Sequence, residues 1–219
     1  MCGRYDLVTS PAQLVARFDL LGDQPMLAPR ANIAPGQDNP VIVVRSPRAL
    51  ASMRWGLVPA WAADPRSGPR PINARIETVA DKPTFRSALR KTRCLVPATG
   101  YYEWPPVPPG TPKHPVHVVP ADEAARLFAF AGLYSTWRGP DGTELDTYTI
   151  LTTAAPPELA HLHERMPVIL APEAEAAWLD PTNTDPVDLL ALLAPLPAAA
   201  LMVTPVAPLV PDLVSASPR

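Results

Sequence analysis

Short runs rich in β-branched and aromatic residues, bounded by prolines and glycines, recur along the chain at 41–44, 53–58, 94–96 continuing through 101–104, 116–119, 127–134, 147–152 and 168–170. Runs of this length and composition predict strands rather than helices. Helical signals are fewer. Ser10-Pro11 is an N-cap with proline in the first turn and predicts a helix to about Leu20, and Lys82-Pro83 predicts another through Arg90. Others are expected over 157–161, 172–179 and 186–193. Strands outnumber helices without regular alternation, so the expected fold class is α+β, with a mostly antiparallel, barrel-like β-sheet flanked by short helices. Residues 105–112 read as a loop and 196–219 as a loosely packed tail of a single domain spanning 1–219.

Composition sharpens this picture. Thirty-two prolines in 219 residues are about three times the ordinary share and argue for short elements joined by stiff turns. A hydrophobic content of 47% is that of a globular protein. Two cysteines, Cys2 and Cys94, do not make a disulfide scaffold, and no apolar run approaches the length of a membrane span. A cytoplasmic monomer is expected. The net charge of -2 hides an asymmetry: residues 1–94 carry 14 Lys and Arg against 7 Asp and Glu, and residues 95–219 carry 5 against 14. A basic half of this size offers a phosphate-binding surface if its charges gather on one face.

The candidate chemistry begins at Cys2. Once the initiator methionine is trimmed, this residue carries both a free α-amine and a thiol, two nucleophiles that titrate near pH ~8 and ~8.5, whereas lysine titrates near ~10.4. An amine and a thiol two carbons apart can close together on one aldehyde carbon as a five-membered ring. Glu103 stands between Tyr102 and Trp104 at the end of a strand-like run, where partial burial would raise its carboxyl pKa and suit it to proton transfer. His163 is a second proton carrier; His161 is its bland neighbour, and two histidines at this spacing point apart, which is poor geometry for a shared metal. Asn73 and Arg75 alternate along an extended segment and project to one face.

These residues fall within an ordered series: Met1-Cys2-Gly3-Arg4-Tyr5, Asn32-Ile33-Ala34-Pro35, Arg54 to Trp61, Ile72 to Thr78, Arg93 to Ala98, Gly100 to Trp104 and Leu162 to Pro167. The series resembles the SOS-response-associated peptidase (SRAP) family from Met1 to about Leu170. The resemblance implies a sensor and shield of abasic sites in single-stranded DNA, in which Met1 is lost and Cys2 forms a thiazolidine crosslink with the ring-opened sugar. It places Cys2, Asn73, Glu103 and His163 in the catalytic site. It places Arg4, Asn32, Pro35, Arg75, Thr152 and Arg165 on DNA, with Trp55, Trp61 and Trp104 as stacking candidates, at least one of them belonging to the core. No metal or organic cofactor and no obligate protein partner are expected, and the family name records a peptidase activity, read here as removal of its own Met1. The chain departs from the family at Ala155, where an asparagine is usual; at Val116, where an aromatic is common; and in the ending after Leu170.

Two rival readings stay open. Glutamine amidotransferases with an N-terminal nucleophile also begin Cys-Gly and use the thiol against an amide. A plain single-strand-binding module with an inert Cys2 would share the basic half and the tryptophans.

Overall fold

The computed structural model describes residues 2–21, 28–44 and 48–207. Twelve strands and four α-helices follow one another as β1 (Tyr5–Leu7), α1 (Pro11–Phe18), β2 (Arg30–Ile33), β3 (Asp38–Val44), β4 (Arg48–Trp55), β5 (Asn73–Arg75), α2 (Arg86–Lys91), β6 (Arg93–Ala98), β7 (Gly100–Glu103), β8 (Val116–Pro120), β9 (Phe128–Arg138), β10 (Glu144–Ala154), β11 (Arg165–Pro167), α3 (Pro172–Leu179), α4 (Pro186–Ala191) and β12 (Leu201–Pro205). β10 pairs with β4, which is followed in the sheet by β3, β6 and β9, and β9 returns to pair with β10, closing a five-stranded barrel. A second sheet, in the order β12-β8-β7-β1-β2, is antiparallel throughout. The α+β class with a mostly antiparallel, barrel-like sheet is therefore as expected; the exceptions are the parallel pairings of β10 with β4 and β5.

Aromatic side chains fill the space between the sheets. Tyr5 meets Trp55 edge-on at 5.2 Å and Phe130 at 5.9 Å, and Trp55 stacks on Tyr148 at 6.3 Å. Their polar ends are satisfied inside: the Tyr5 and Tyr148 hydroxyls are 2.8 Å apart, Asn39 Nδ2 donates to Tyr148 at 3.1 Å, and Trp55 Nε1 donates to the Ile72 carbonyl at 2.9 Å. Burial of such large rings is what ties β1, the strand behind Cys2, to the barrel.

Several elements differ from the sequence expectation, each for a local reason. α1 is closed by a capping box between Ser10 and Gln13, but it ends at Phe18 because Asp19 turns left-handed, with φ of 51°. The residues after Lys82-Pro83 form a turn before α2 proper begins at Arg86. The expected helix at 157–161 is a chain of tight turns. The run 94–104 is divided: β6 lies in the barrel and β7 in the other sheet, and the chain passes between them at Thr99, whose backbone N–H donates to the Asp6 carbonyl at 2.9 Å. Strand 168–170 reduces to a single bridge from Ile169 to Phe130, the paired strand being β11 just before it. The expected loose tail is also corrected. Leu201–Pro205 is an edge strand paired along its whole length with Val116–Pro120 and anchored by buried Leu201; the last part of that expectation, 208–219, lies outside the described residues.

Candidate active site

Cys2 lies at the entrance to β1 and is fully buried. Tyr5 faces Tyr101, and the Tyr102 N–H donates to the Arg4 carbonyl at 3.0 Å, so the β1–β7 ladder carries the cysteine towards the strand end that bears Glu103. From the other side Asn73 Nδ2 donates to the Cys2 carbonyl at 2.8 Å. Asn73 reaches it because β5 runs parallel to β10, with Asn73 opposite Ile150 and Arg75 opposite Thr152. Burial pushes the Cys2 thiol well above its ordinary range, and the nearby Glu103 charge pushes it further. Burial likewise raises the Glu103 carboxyl. A neutral thiol thus sits near a carboxyl whose proton affinity is raised, a better acceptor for the thiol proton than an ordinary carboxylate.

His163 comes in on the opposite edge of the same support, the C-terminal end of β10, where Thr152–Ala154 pair with β11. Its Nδ1 accepts the Arg165 backbone N–H at 2.9 Å. In the neutral ring the proton is therefore on Nε2. Burial lowers the His163 pKa, so the neutral form with an Nε2–H donor predominates at pH 7. The turn is braced by Arg165, whose guanidinium holds Glu77 in a bidentate pair at 2.6 and 2.9 Å and donates to the Thr152 carbonyl at 2.6 Å. The hydrogen bonds from Arg165 hold the Glu77 carboxyl below the usual range.

Beside Asn73 opens a cleft of about 530 Å³ lined by Trp61, Arg75, Thr78, Lys82 and Phe85. Gly56, with φ of 125°, turns the chain out of β4 towards this rim, a conformation that disfavours any residue with a Cβ. Trp137 Nε1 then donates to the Ala62 carbonyl at 2.7 Å and fixes the rim loop. Trp61 is 69% exposed, and Arg75 is also exposed.

The structure brings Cys2, Asn73 and Glu103 together and places His163 on the adjoining strand edge, with Arg75 and Trp61 on the cleft. Other expected DNA contacts are placed differently. Trp55 is buried in the aromatic core and Thr152 within β10, because both are inward positions of barrel strands. Arg165 is 9% exposed and committed to Glu77 and Thr152, so it acts as a brace and is not an open phosphate clamp. Asn32 is buried on β2; Pro35 is half-buried in the turn after it. Arg4 is half-buried, with Nη1 donating to the Gly3 carbonyl at 3.3 Å, and Trp104 is half-buried just past β7. The basic balance of the first half is also partly internal: Arg17 pairs with Glu175 at 2.6 Å, and Arg93 is buried, donating to five backbone carbonyls. Glu77 and Lys82 were not identified from the sequence. Glu77 carried one usable signal, its place within the quoted Ile72 to Thr78 segment.

The family model of the SOS response associated peptidase (SRAP) matches residues 1–213. The abasic site processing protein YoqW of Bacillus subtilis is 42% identical over 198 residues, covering 89% of this chain and 87% of that protein. The abasic site processing protein HMCES of Xenopus tropicalis is 32% identical, covering 80% of this chain and 61% of its own length. Among solved structures, a protein from Bacteroides thetaiotaomicron superposes with a TM-score of 0.83 at 28% identity, over 94% of this chain and 92% of the other. With the family model matched from residue 1 to residue 213 and relatives alike over most of their length, this chain belongs to the SRAP family.

Proposed function

We propose that the protein captures abasic sites in single-stranded DNA by a covalent thiazolidine link to Cys2 after Met1 is removed. The observation that carries this reading is the convergence on Cys2 of Asn73, hydrogen-bonded to its carbonyl at 2.8 Å, and of Glu103, a buried carboxyl beside its thiol. The names of the relatives, abasic site processing proteins, agree with it.

An abasic deoxyribose is a cyclic hemiacetal in equilibrium with an open aldehyde. As the C1′–O4′ bond breaks, the C1′ hydroxyl gives its proton to water and O4′ gains one from water, while the neutral His163 Nε2–H, fixed by the Nδ1 bond to Arg165, hydrogen-bonds the departing ring oxygen and stabilises the charge developing there. The Cys2 α-amine attacks C1′, and the resulting carbinolamine loses water to give an imine. Because burial keeps the thiol protonated, it adds to the imine carbon with a base at hand: the S–C1′ bond forms as the C=N π bond opens onto nitrogen, and Glu103 takes the thiol proton and passes it to that nitrogen. Asn73 holds the Cys2 carbonyl so that amine and thiol face the same carbon. Ring closure consumes the imine through which the strand would otherwise break by β-elimination. Trp61 stacks a flanking base, and Arg75 and Lys82 face the phosphates.

The test is a denaturing gel after incubation with single-stranded oligonucleotides that do or do not contain one abasic site. A heat-stable, slow-migrating species with the abasic strand alone, lost in Cys2→Ala, is the expected result. Adduct formation by Cys2→Ala without added reductant would refute the mechanism. Release of ammonia from glutamine would favour the amidotransferase reading.

A further inference from the structure

On the outer face of the β12-β8-β7-β1-β2 sheet a second titratable cluster stands apart from the chemistry. Asp6, two residues into the structured part of β1 and 3% exposed, collects donors from the neighbouring strands. Thr99 Oγ1 donates to Asp6 Oδ1 at 2.5 Å, the Tyr102 hydroxyl donates to Oδ2 at 3.0 Å, and His117 Nε2 lies 2.7 Å from Oδ2. Tyr102 also stacks on the His117 ring, with centroids 4.7 Å apart. The arrangement needs Gly100, since a Cβ there would sit 2.1 Å from His117 Nε2. The cluster is tied to the active site through the backbone: Asp6 lies on the strand that Cys2 leads into, and Tyr102 immediately precedes Glu103 on the next.

We infer that Asp6 and His117 are positioning residues whose ion pair clamps the strand bearing Cys2 against the strand bearing Glu103, so that protonation of His117 tunes the rate of crosslinking. The inference rests on the crosslinking reading above. The His117 contact is an ion pair only when the ring is protonated. The charged and titratable groups around the ring are Asp6 from β1, Tyr102 from β7 and, across the shallow pocket into which it opens, Arg126, itself 3.2 Å from Glu123; β12 contributes uncharged Thr204, opposite His117 in the ladder. Asp6 is the single anion in direct contact among the described residues. A protonated His117 thus adds a charged tie across β8, β7 and β1, and a neutral one offers Asp6 at most an uncharged hydrogen bond beside its two hydroxyls.

The experiment measures adduct formation on one abasic oligonucleotide in excess protein for the wild type, His117→Gln and Asp6→Asn at about pH 5.5 and about pH 8.5. The chemistry has its own pH dependence, so the quantity read is the ratio of wild-type to variant rate. The expected ratio is about fivefold at the acid pH and close to one at the alkaline pH for His117→Gln, with Asp6→Asn erasing the same pH dependence. A ratio that is equal at both pH values for both variants, whatever its size, would reduce the cluster to scaffolding and overturn the inference. Thermal melts of the same proteins keep the two readings distinguishable. If the wild type forms no adduct, the crosslinking reading and the rate consequence both fail, and the melting difference decides the clamp: larger at acid pH supports it, equal at both pH values refutes it.

Discussion

Replacing Glu77 with glutamine removes the counter-charge of Arg165 and keeps its shape. The Arg165 side chain is 10% exposed and that of Glu77 48% exposed, so the substitution leaves a buried guanidinium facing a half-solvated neutral amide. Breaking a fully buried pair from one side costs about 3–5 kcal/mol; solvent at the Glu77 end reduces this to about 2–3 kcal/mol. For a domain of this size that corresponds to a melting temperature lower by roughly 5–10 °C. Because Arg165 holds the Glu77 carboxyl below its unfolded pKa, the stabilisation is complete above about pH 4.3 and fades as the pH falls through the depressed folded value. Thermal melts of wild type and Glu77→Gln at pH 7 and down the acid limb measure both effects. The gap should be full at pH 7 and shrink on acidification. Melting within about 1 °C of wild type at pH 7 would show that the pair contributes little and that Arg165 is free to serve elsewhere.

Three further outcomes follow from the placement of side chains. Trp61→Ala should weaken binding to single-stranded DNA by about 1–3 kcal/mol in fluorescence anisotropy, while Trp55→Ala should cost about 3–5 kcal/mol of folding stability in a denaturant melt. Arg75→Ala should weaken binding at all sequences and make the fall of affinity with salt shallower; an unchanged slope would remove Arg75 from the phosphate path. Glu103→Gln should slow adduct formation at neutral pH, and His163→Gln should slow it less on a substrate held open while lengthening the life of a preformed adduct; rates unchanged in both directions would leave His163 a structural residue.

What the sequence made legible was local. The β-rich runs and capped starts fixed the class of fold, because strand composition and proline punctuation act over a few residues. The candidate residues around Cys2 were reached through the ordered series of motifs that resembles the family, and no local pattern would have singled them out. Tertiary pairing was not legible. Nothing in 201–205 announces that it closes the sheet onto Val116–Pro120, a partner more than 80 residues away. Trp55 and Trp61 are equal in composition, and only the closure of the barrel decides that one fills the core and the other the rim. Arg165 read as a phosphate contact because a lone arginine in sequence shows no partner, and Glu77 lies 88 residues away in the turn after β5. The charge asymmetry of the two halves is blunted for the same reason: Arg17 finds Glu175 across the fold.

The central claim, a covalent bond from Cys2 to an abasic sugar, is tested most directly by intact mass after incubation with an oligonucleotide containing one abasic site. The account predicts a single new species whose mass is that of the protein without Met1 plus the oligonucleotide less one water, with the linkage mapped to Cys2 after digestion. Unmodified protein and oligonucleotide at equilibrium, or a linkage at any lysine in place of Cys2, would contradict it.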